Sequence, residues 1–190
     1  MENLININQT YEKLNLFDGK INNKEFENCV FKNCNFSNAN FNNNTFLDCE
    51  FIDCNLSMLQ VMNVGFKTVF FKNCKLVGVL FDNCDDFLLQ VHFQECILDY
   101  ASFANKKMPK TRFENCSMKE INFINCNLTA SIFDNCNLEN AIFNDTILAS
   151  ADFTTALNIK IDPEFNNLKK AKFSNAGILA LLDKYDIIVE

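Results

Sequence analysis

A large apolar residue returns at every fifth position from Phe26 through Phe31, Phe36, Phe41, Phe46, Phe51, Leu56, Val61, Phe66, Phe71 and Leu76 to Phe81. A helix repeats its apolar face every 3.6 residues and a half-buried strand every 2, so neither produces a strict five. A fixed short period marks a solenoid, in which each repeat contacts only its neighbours. Two positions before the large residue stands a small or compact one, as at Cys29, Cys34, Ala39, Cys49, Cys54 and Cys74. Each pentad therefore offers one large and one small side chain to an interior. Three polar residues, often Asn, are left for water.

The pattern slips once. A large residue is due at Asp86, and the series resumes at Leu88, running on through Phe93, Leu98, Phe103, Met108, Phe113, Met118, Phe123, Leu128, Phe133, Leu138, Phe143, Leu148 and Phe153. Two extra residues around Asp85–Phe87 read as a bulge or short outward loop. Every fourth centre across that insertion gives Phe31, Phe51, Phe71, Phe93, Phe113, Phe133 and Phe153, all Phe. The next column, Leu16, Phe36, Leu56, Leu76, Leu98, Met118 and Leu138, is mostly aliphatic. Like residues fall in register only if a coil has twenty residues on four sides. With rungs ~4.8 Å apart, about seven coils give a rod roughly 35 Å long.

Three segments follow. Residues 1–15 do not repeat and are expected to cap the open end of the core, as solenoids require. Residues 16–158 form the solenoid, and 159–190 a C-terminal cap. Within the last, Asp162-Pro163-Glu164 predicts a short helix, with an N-cap followed by Pro at the first helical position. Phe173, following Ala171, reads as a final pentad. Ser174 or Asn175 then caps a helix carrying Ile178, Leu179, Leu181 and Leu182 that ends near Tyr185, before a short extended tail, Ile187-Ile188-Val189. So apolar a helix needs cover. It plugs the last coil, pairs with its copy in a second subunit, or does both.

Phrases such as Cys54-Asn55-Leu56-Ser57, Cys126-Asn127-Leu128-Thr129 and Ala151-Asp152-Phe153-Thr154 sit on the A(D/N)LXX motif. Over roughly residues 16–158 the chain resembles the pentapeptide repeat family. That resemblance implies an all-β fold, a right-handed quadrilateral parallel β-helix, with a short C-terminal α-helix. The general plan is similar to the Qnr/MfpA-like branch, which has a short N-terminal lead-in, one β-helix with small loops, and a C-terminal dimerisation helix. The tail from Leu179 to Val189 is similar to that branch's LL-x-x-x-G-I-x-V ending, with Asp186 in place of the glycine. In that branch the acidic rod mimics duplex DNA, binds DNA gyrase or topoisomerase IV, and protects it from quinolones. The resemblance thus implies a non-enzymatic homodimer whose protein partner is a type II topoisomerase. The alternative within the family is a general structural or interaction scaffold with no topoisomerase target.

Composition narrows the options. Only 4 Gly and 2 Pro accompany 21 Phe, too few turn formers for a β-sandwich. Ten cysteines in a small secreted chain would suggest a disulfide framework. The first residues, Met1-Glu2-Asn3-Leu4-Ile5-Asn6, have neither a basic nor an apolar leader region, and no apolar run approaches the ~18 residues that span a bilayer. Reduced cysteines in a cytoplasmic protein are expected, with no membrane partner. A net charge of −7 counts against direct nucleic-acid binding, which needs a basic stripe.

Candidate chemistry reduces to a few columns. Cys34, Cys54, Cys74, Cys96, Cys116 and Cys136 align under the twenty-residue coil and invite a metal or thiol-sensor reading. Packing explains them better: each takes the small inward position, and free Cys behaves as a small hydrophobe. There is no CxxC pair and His92 is the only histidine, so zinc-type spacing is missing and no metal or cofactor is expected. The Asn column Asn43, Asn63, Asn83, Asn105 and Asn125 reads as corner chemistry, because Asn tolerates the left-handed region. No nucleophile has a base beside it and no Gly-rich loop could cradle phosphate, so no catalytic residue is assigned. Two features remain for a protein partner. One is an acidic flank of the all-Phe column, Glu50, Asp53, Glu95, Glu114, Asp134 and Asp152, diluted by Lys32, Lys72 and Arg112. The other is interruption of the rod at 84–89 and 106–110, where Phe87, Leu89, Lys106, Lys107 and Lys110 would project. Val30, Phe70, Ile97, Ile132 and Ile142 add outward apolar surface.

Overall fold

The computed structural model describes residues 5–185 and Ile187. Parallel pairing at a twenty-residue offset runs through it, joining Phe31 to Phe51, Phe51 to Phe71 and Phe113 to Phe133. The result is a β-solenoid of about eight turns with one short helix near its C-terminal end. One wall is a continuous sheet of nine short strands, from Thr10–Glu12 to Lys172–Phe173. On a second wall a sheet of four, Ile5–Ile7, Glu25–Glu27, Thr45–Leu47 and Gly65–Lys67, stops at the insertion, and a two-stranded sheet later pairs Thr146–Ile147 with Asn166–Asn167. The remaining two walls pair through single bridges such as Asn35 with Asn55 and Asn40 with Gln60.

The corners explain the polar positions. The residue two after nearly every centre adopts a left-handed backbone, with φ of 53° at Asn33, 61° at Asn43, 56° at Asn63 and 65° at Asn105. Asn enters that region at lower cost than other side chains, and it recurs there for that reason. The Asn before a centre does a second job. Asn35, Asn55 and Asn127 each accept, at Oδ1, the N–H of the residue two further on. Asn83 alone departs from the corner column, lying in the 3-10 turn Phe81–Asn83 that leads into the insertion.

Inside, the all-Phe column is a stack of near-parallel rings. Centroids lie 4.7 Å apart for Phe31 and Phe51, 5.4 Å for Phe93 and Phe113, and 4.6 Å for Phe133 and Phe153. Neighbouring columns meet edge to face, as between Phe93 and Phe103 at 72°. Such pairs add ~0.5–1.5 kcal/mol each beyond the burial of their area. The small position is filled by sulfur with a purpose. Cys54 Sγ donates to the carbonyl of Phe31 in the coil before and to that of Ile52 in its own, at 3.4 and 3.3 Å. Cys74, Cys96, Cys116 and Cys136 repeat this arrangement, which an alanine at the same place could not make.

The stack is longer at both ends than the apolar pentads suggest, which is why about seven coils become about eight. Ile5–Ile7 and Thr10–Glu12 already pair with the next coil, although residues 1–15 read as non-repeating. Asn6 stands where a large apolar residue is expected, opposite Phe26, and Tyr11 stacks on Phe31 at 5.0 Å while its hydroxyl donates to Asn6. A polar pair at the open end hides the period. At the other end Phe173 stacks on Phe153 at 5.3 Å, so the coil runs past residue 158.

The helix expected at Asp162-Pro163-Glu164 does not form. Asp162 instead accepts the Glu164 N–H across a turn, and the chain then pairs with Thr146–Ile147 at Asn166–Asn167. Asn166 holds it there, accepting from Thr146 N and donating to the carbonyls of Phe143 and Asp162. Those bonds to the coil below outweigh a single helical turn. The later helix forms only over Asn175–Leu179, with Ser174 Oγ accepting the Gly177 N–H at 2.9 Å; it stops short of the expected end near Tyr185, and Leu181 and Leu182 lie beyond it. Ile188 and Val189, read as extended tail, lie outside the described residues.

Candidate protein-binding surface

The two-residue insertion lies between Asp85 and Gln90. Asp85 N still bonds Val64 O in the twenty-residue register, whereas Val69 already pairs with Val91 at twenty-two. Asp85 Oδ1 accepts the Phe87 N–H at 3.0 Å, and Leu88 turns back through a left-handed φ of 59°. Phe87 and Leu88 stand 64% exposed at the tip. The Lys67 ammonium lies 5.1 Å from the centre of the Phe87 ring. Leu88, where the sequence pattern resumes, is therefore not a core centre. Leu89 turns inward instead and packs against the core, so of the two residues expected to project, only Phe87 does so.

The second expected interruption is not one. Lys107 bridges Asn127 in register, Met108 is a buried centre, and Lys110 is an ordinary corner at φ 63°. Lys107 and Lys110 are exposed along the wall, but Lys106 is buried at the small inward position. Its Nζ donates to Cys84 O at 2.6 Å and to Asp86 Oδ1. A lysine with a polar tip can line an interior where the tip finds a carbonyl and a carboxylate. The basic run is legible in sequence; its inward member is not.

The acidic flank spreads over three ladders of the nine-stranded wall. Glu50 precedes its centre, Glu114 and Asp134 follow theirs, and Asp53 and Glu95 occupy corners. Several are already paired. Glu114 takes Arg112 at 2.7 Å, Asp152 takes Lys172 at 3.2 Å, and Asp53 and Asp134 accept from Asn73 and Thr155. The Asp152 carboxyl lies below the usual range despite its partial burial, through hydrogen bonds from Thr154 and Lys172. His92, on the same wall, is half-buried and accepts Arg112 N–H at Nδ1, 3.2 Å away. Burial and the Arg112 charge lower its pKa.

All ten cysteines are buried and free. Burial pushes the thiols of Cys49, Cys84 and Cys126 up to about 12 and that of Cys34 up to about 11. Along the sulfur ladder the interaction of stacked thiols raises Cys74 and Cys136 and lowers Cys54 and Cys116, while burial acts upward on all four. Desolvation is common to the column, and it favours the neutral thiol throughout. Among the described residues no group of three His, Cys, Asp or Glu is placed to hold a metal.

At the C-terminal end, Leu168, Phe173 and Leu181 pack on the last coil, whereas Ile178 and Leu179 remain 51% and 44% exposed. Leu182 is half-buried. Lys184 ties this segment back, reaching Asp162 at 2.6 Å and Glu164 at 2.9 Å, with Tyr185 donating to Glu164. Among the described residues no helix is long and apolar enough to cross a membrane.

Twenty-residue coils with an inward large and an inward small residue per side define a pentapeptide-type β-solenoid. The model for the pentapeptide repeat region matches residues 24–103, 64–143 and 86–160, and the chain belongs to the pentapeptide repeat family. Among solved structures, a trypsin-treated variant of QnrB1, a plasmid-mediated fluoroquinolone resistance protein, aligns over 99% of both chains with TM-score 0.74 and 17% identity. A second trypsin-treated QnrB1 variant aligns over 95% of this chain and 100% of its own, with TM-score 0.67 and 19% identity. HetL of the cyanobacterium Nostoc sp. strain PCC 7120, involved in heterocyst differentiation regulation, aligns over 87% of each chain with TM-score 0.54 and 12% identity. These likenesses establish the fold. No curated protein matches the sequence.

Proposed function

We propose that this chain is a non-enzymatic cytoplasmic protein that binds another protein through its rod surface, and that the partner is a type II topoisomerase shielded from quinolones. The supporting observation is the end-to-end agreement of its coil stack with QnrB1, a fluoroquinolone resistance protein, over 99% of both chains. The exposed Phe87–Leu88 tip, Lys107, Lys110 and the acids of the nine-stranded wall supply the contact surface. The exposed Ile178 and Leu179 supply a homodimer contact. Purified DNA gyrase assayed for supercoiling, with and without a quinolone, tests the reading. Added protein should bind gyrase and restore supercoiling under the drug; neither effect at micromolar protein would sink it.

One observation favours the scaffold alternative. Duplex DNA presents one charge per ~1.7 Å of axis, while the acids here alternate with Lys32, Lys72, Arg112 and Lys172 and are partly bonded to them. Affinity capture of a partner other than a topoisomerase, with gyrase unaffected, would establish that reading instead.

A further inference from the structure

The small inward position is filled by Val64 and Cys84 in the coils before Lys106 and by Cys126 after it. A lysine there is costly unless its ammonium is fully engaged. It is engaged with the insertion: one bond to Cys84 O, where the loop leaves the coil, and one to Asp86, whose side chain is 74% exposed. An acid stands at position 86 where a large centre is due, Lys106 is buried, and the half-buried Leu89 packs against the core. From the core side, then, one side chain grips both the root of the loop and the carboxylate next to Phe87.

We propose that Lys106 is a positioning residue for partner binding: it holds the 85–90 loop so that Phe87 and Leu88 are presented as a preformed apolar tip to a protein partner. This rests on the protein-binding reading above. Fixing the tip beforehand lowers the ordering cost that a free loop would incur on association. The tip does the touching; Lys106 acts through it.

The chain contains no tryptophan, so Phe87→Trp makes a single reporter at the tip. In that background, Lys106→Met keeps the stem and removes the charge, and Asp86→Asn weakens the same contact from the exposed side without touching the core. Fluorescence anisotropy of the indole is read for each full-length protein, alongside a thermal melt and gyrase affinity. Anisotropy should fall in both variants, further in Lys106→Met, with the solenoid still melting cooperatively. In chains retaining Phe87, affinity should fall about tenfold, and Lys106→Met should add little to Phe87→Ala. Unchanged anisotropy in both variants overturns the proposal, and so does a mobile tip with undiminished affinity. Should Lys106→Met fail to fold, Asp86→Asn decides. If gyrase does not bind the unmodified chain, the topoisomerase reading fails, while the anisotropy still reports whether Lys106 holds the loop.

Discussion

Phe71 and Phe93 stand one above the other, ring centroids 5.1 Å apart and planes within 10° of parallel, although twenty-two residues separate them. The ring stack is thus unbroken past the insertion, and the extra length is confined to the loop. Each ring is clamped by stacked partners above and below and by edge contacts from the next column.

Phe113 sits mid-column between Phe93 and Phe133 and is fully buried. Replacing it with alanine leaves a ring-sized void that rigid backbone rungs cannot close. Equilibrium denaturation should register a loss of about 3–5 kcal/mol. A loss under ~1 kcal/mol would mean that the column is not the principal core.

Thr68 occupies a corner at φ 58°, a region in which a β-branched residue is strained. The left-handed conformation costs an ordinary L-residue ~1–2 kcal/mol. Thr68→Asn should therefore raise stability by about 1 kcal/mol, read as a higher melting temperature. Unchanged or reduced stability would assign Thr68 a role beyond the corner.

The thiols should be silent in the native protein. A colourless-to-coloured thiol reagent should find none of the ten until denaturant is added. The same burial gives a pH dependence. Cys49 moves from 9.0 to about 12, so the unfolded chain loses that proton first as pH rises. Its contribution is complete below pH 9.0 and is lost progressively up to about 12. Melting temperatures should accordingly fall across that window; a flat profile would contradict buried neutral thiols.

If Ile178 and Leu179 meet their copies in a second subunit, charge there should separate the chains. Ile178→Asp with Leu179→Asp should halve the scattering mass while leaving the solenoid's circular dichroism unchanged. A single-chain mass in the unmodified protein would remove the dimer outright.

The coil is plain in the sequence because each Phe or Leu centre reports its own inward direction without reference to distant residues. The ends are less legible. Asn6 and Tyr11 are polar substitutes at an open face, and Asp162-Pro163-Glu164 carries helix-starting residues whose turn is overruled by the Asn166 bonds to the preceding coil. Around the candidate site, sequence places the insertion correctly but does not tell Leu88 from Leu89, since only the corner geometry decides which leucine turns in. Lys106 escapes a sequence reading for a related reason. It occupies a position the pentad reserves for a small residue, and only the Cys84 carbonyl and the Asp86 carboxylate at its tip make a charge acceptable there.

Because the all-Phe stack and the nine-stranded wall run through the insertion in register, the loop's location has two independent coordinates. Adding or deleting whole coils would slide it along the axis, and shifting the two residues by one pentad would move it round to the adjacent wall. A rod built this way is an adjustable mount, on which evolution or design can aim one short projection without rebuilding what carries it.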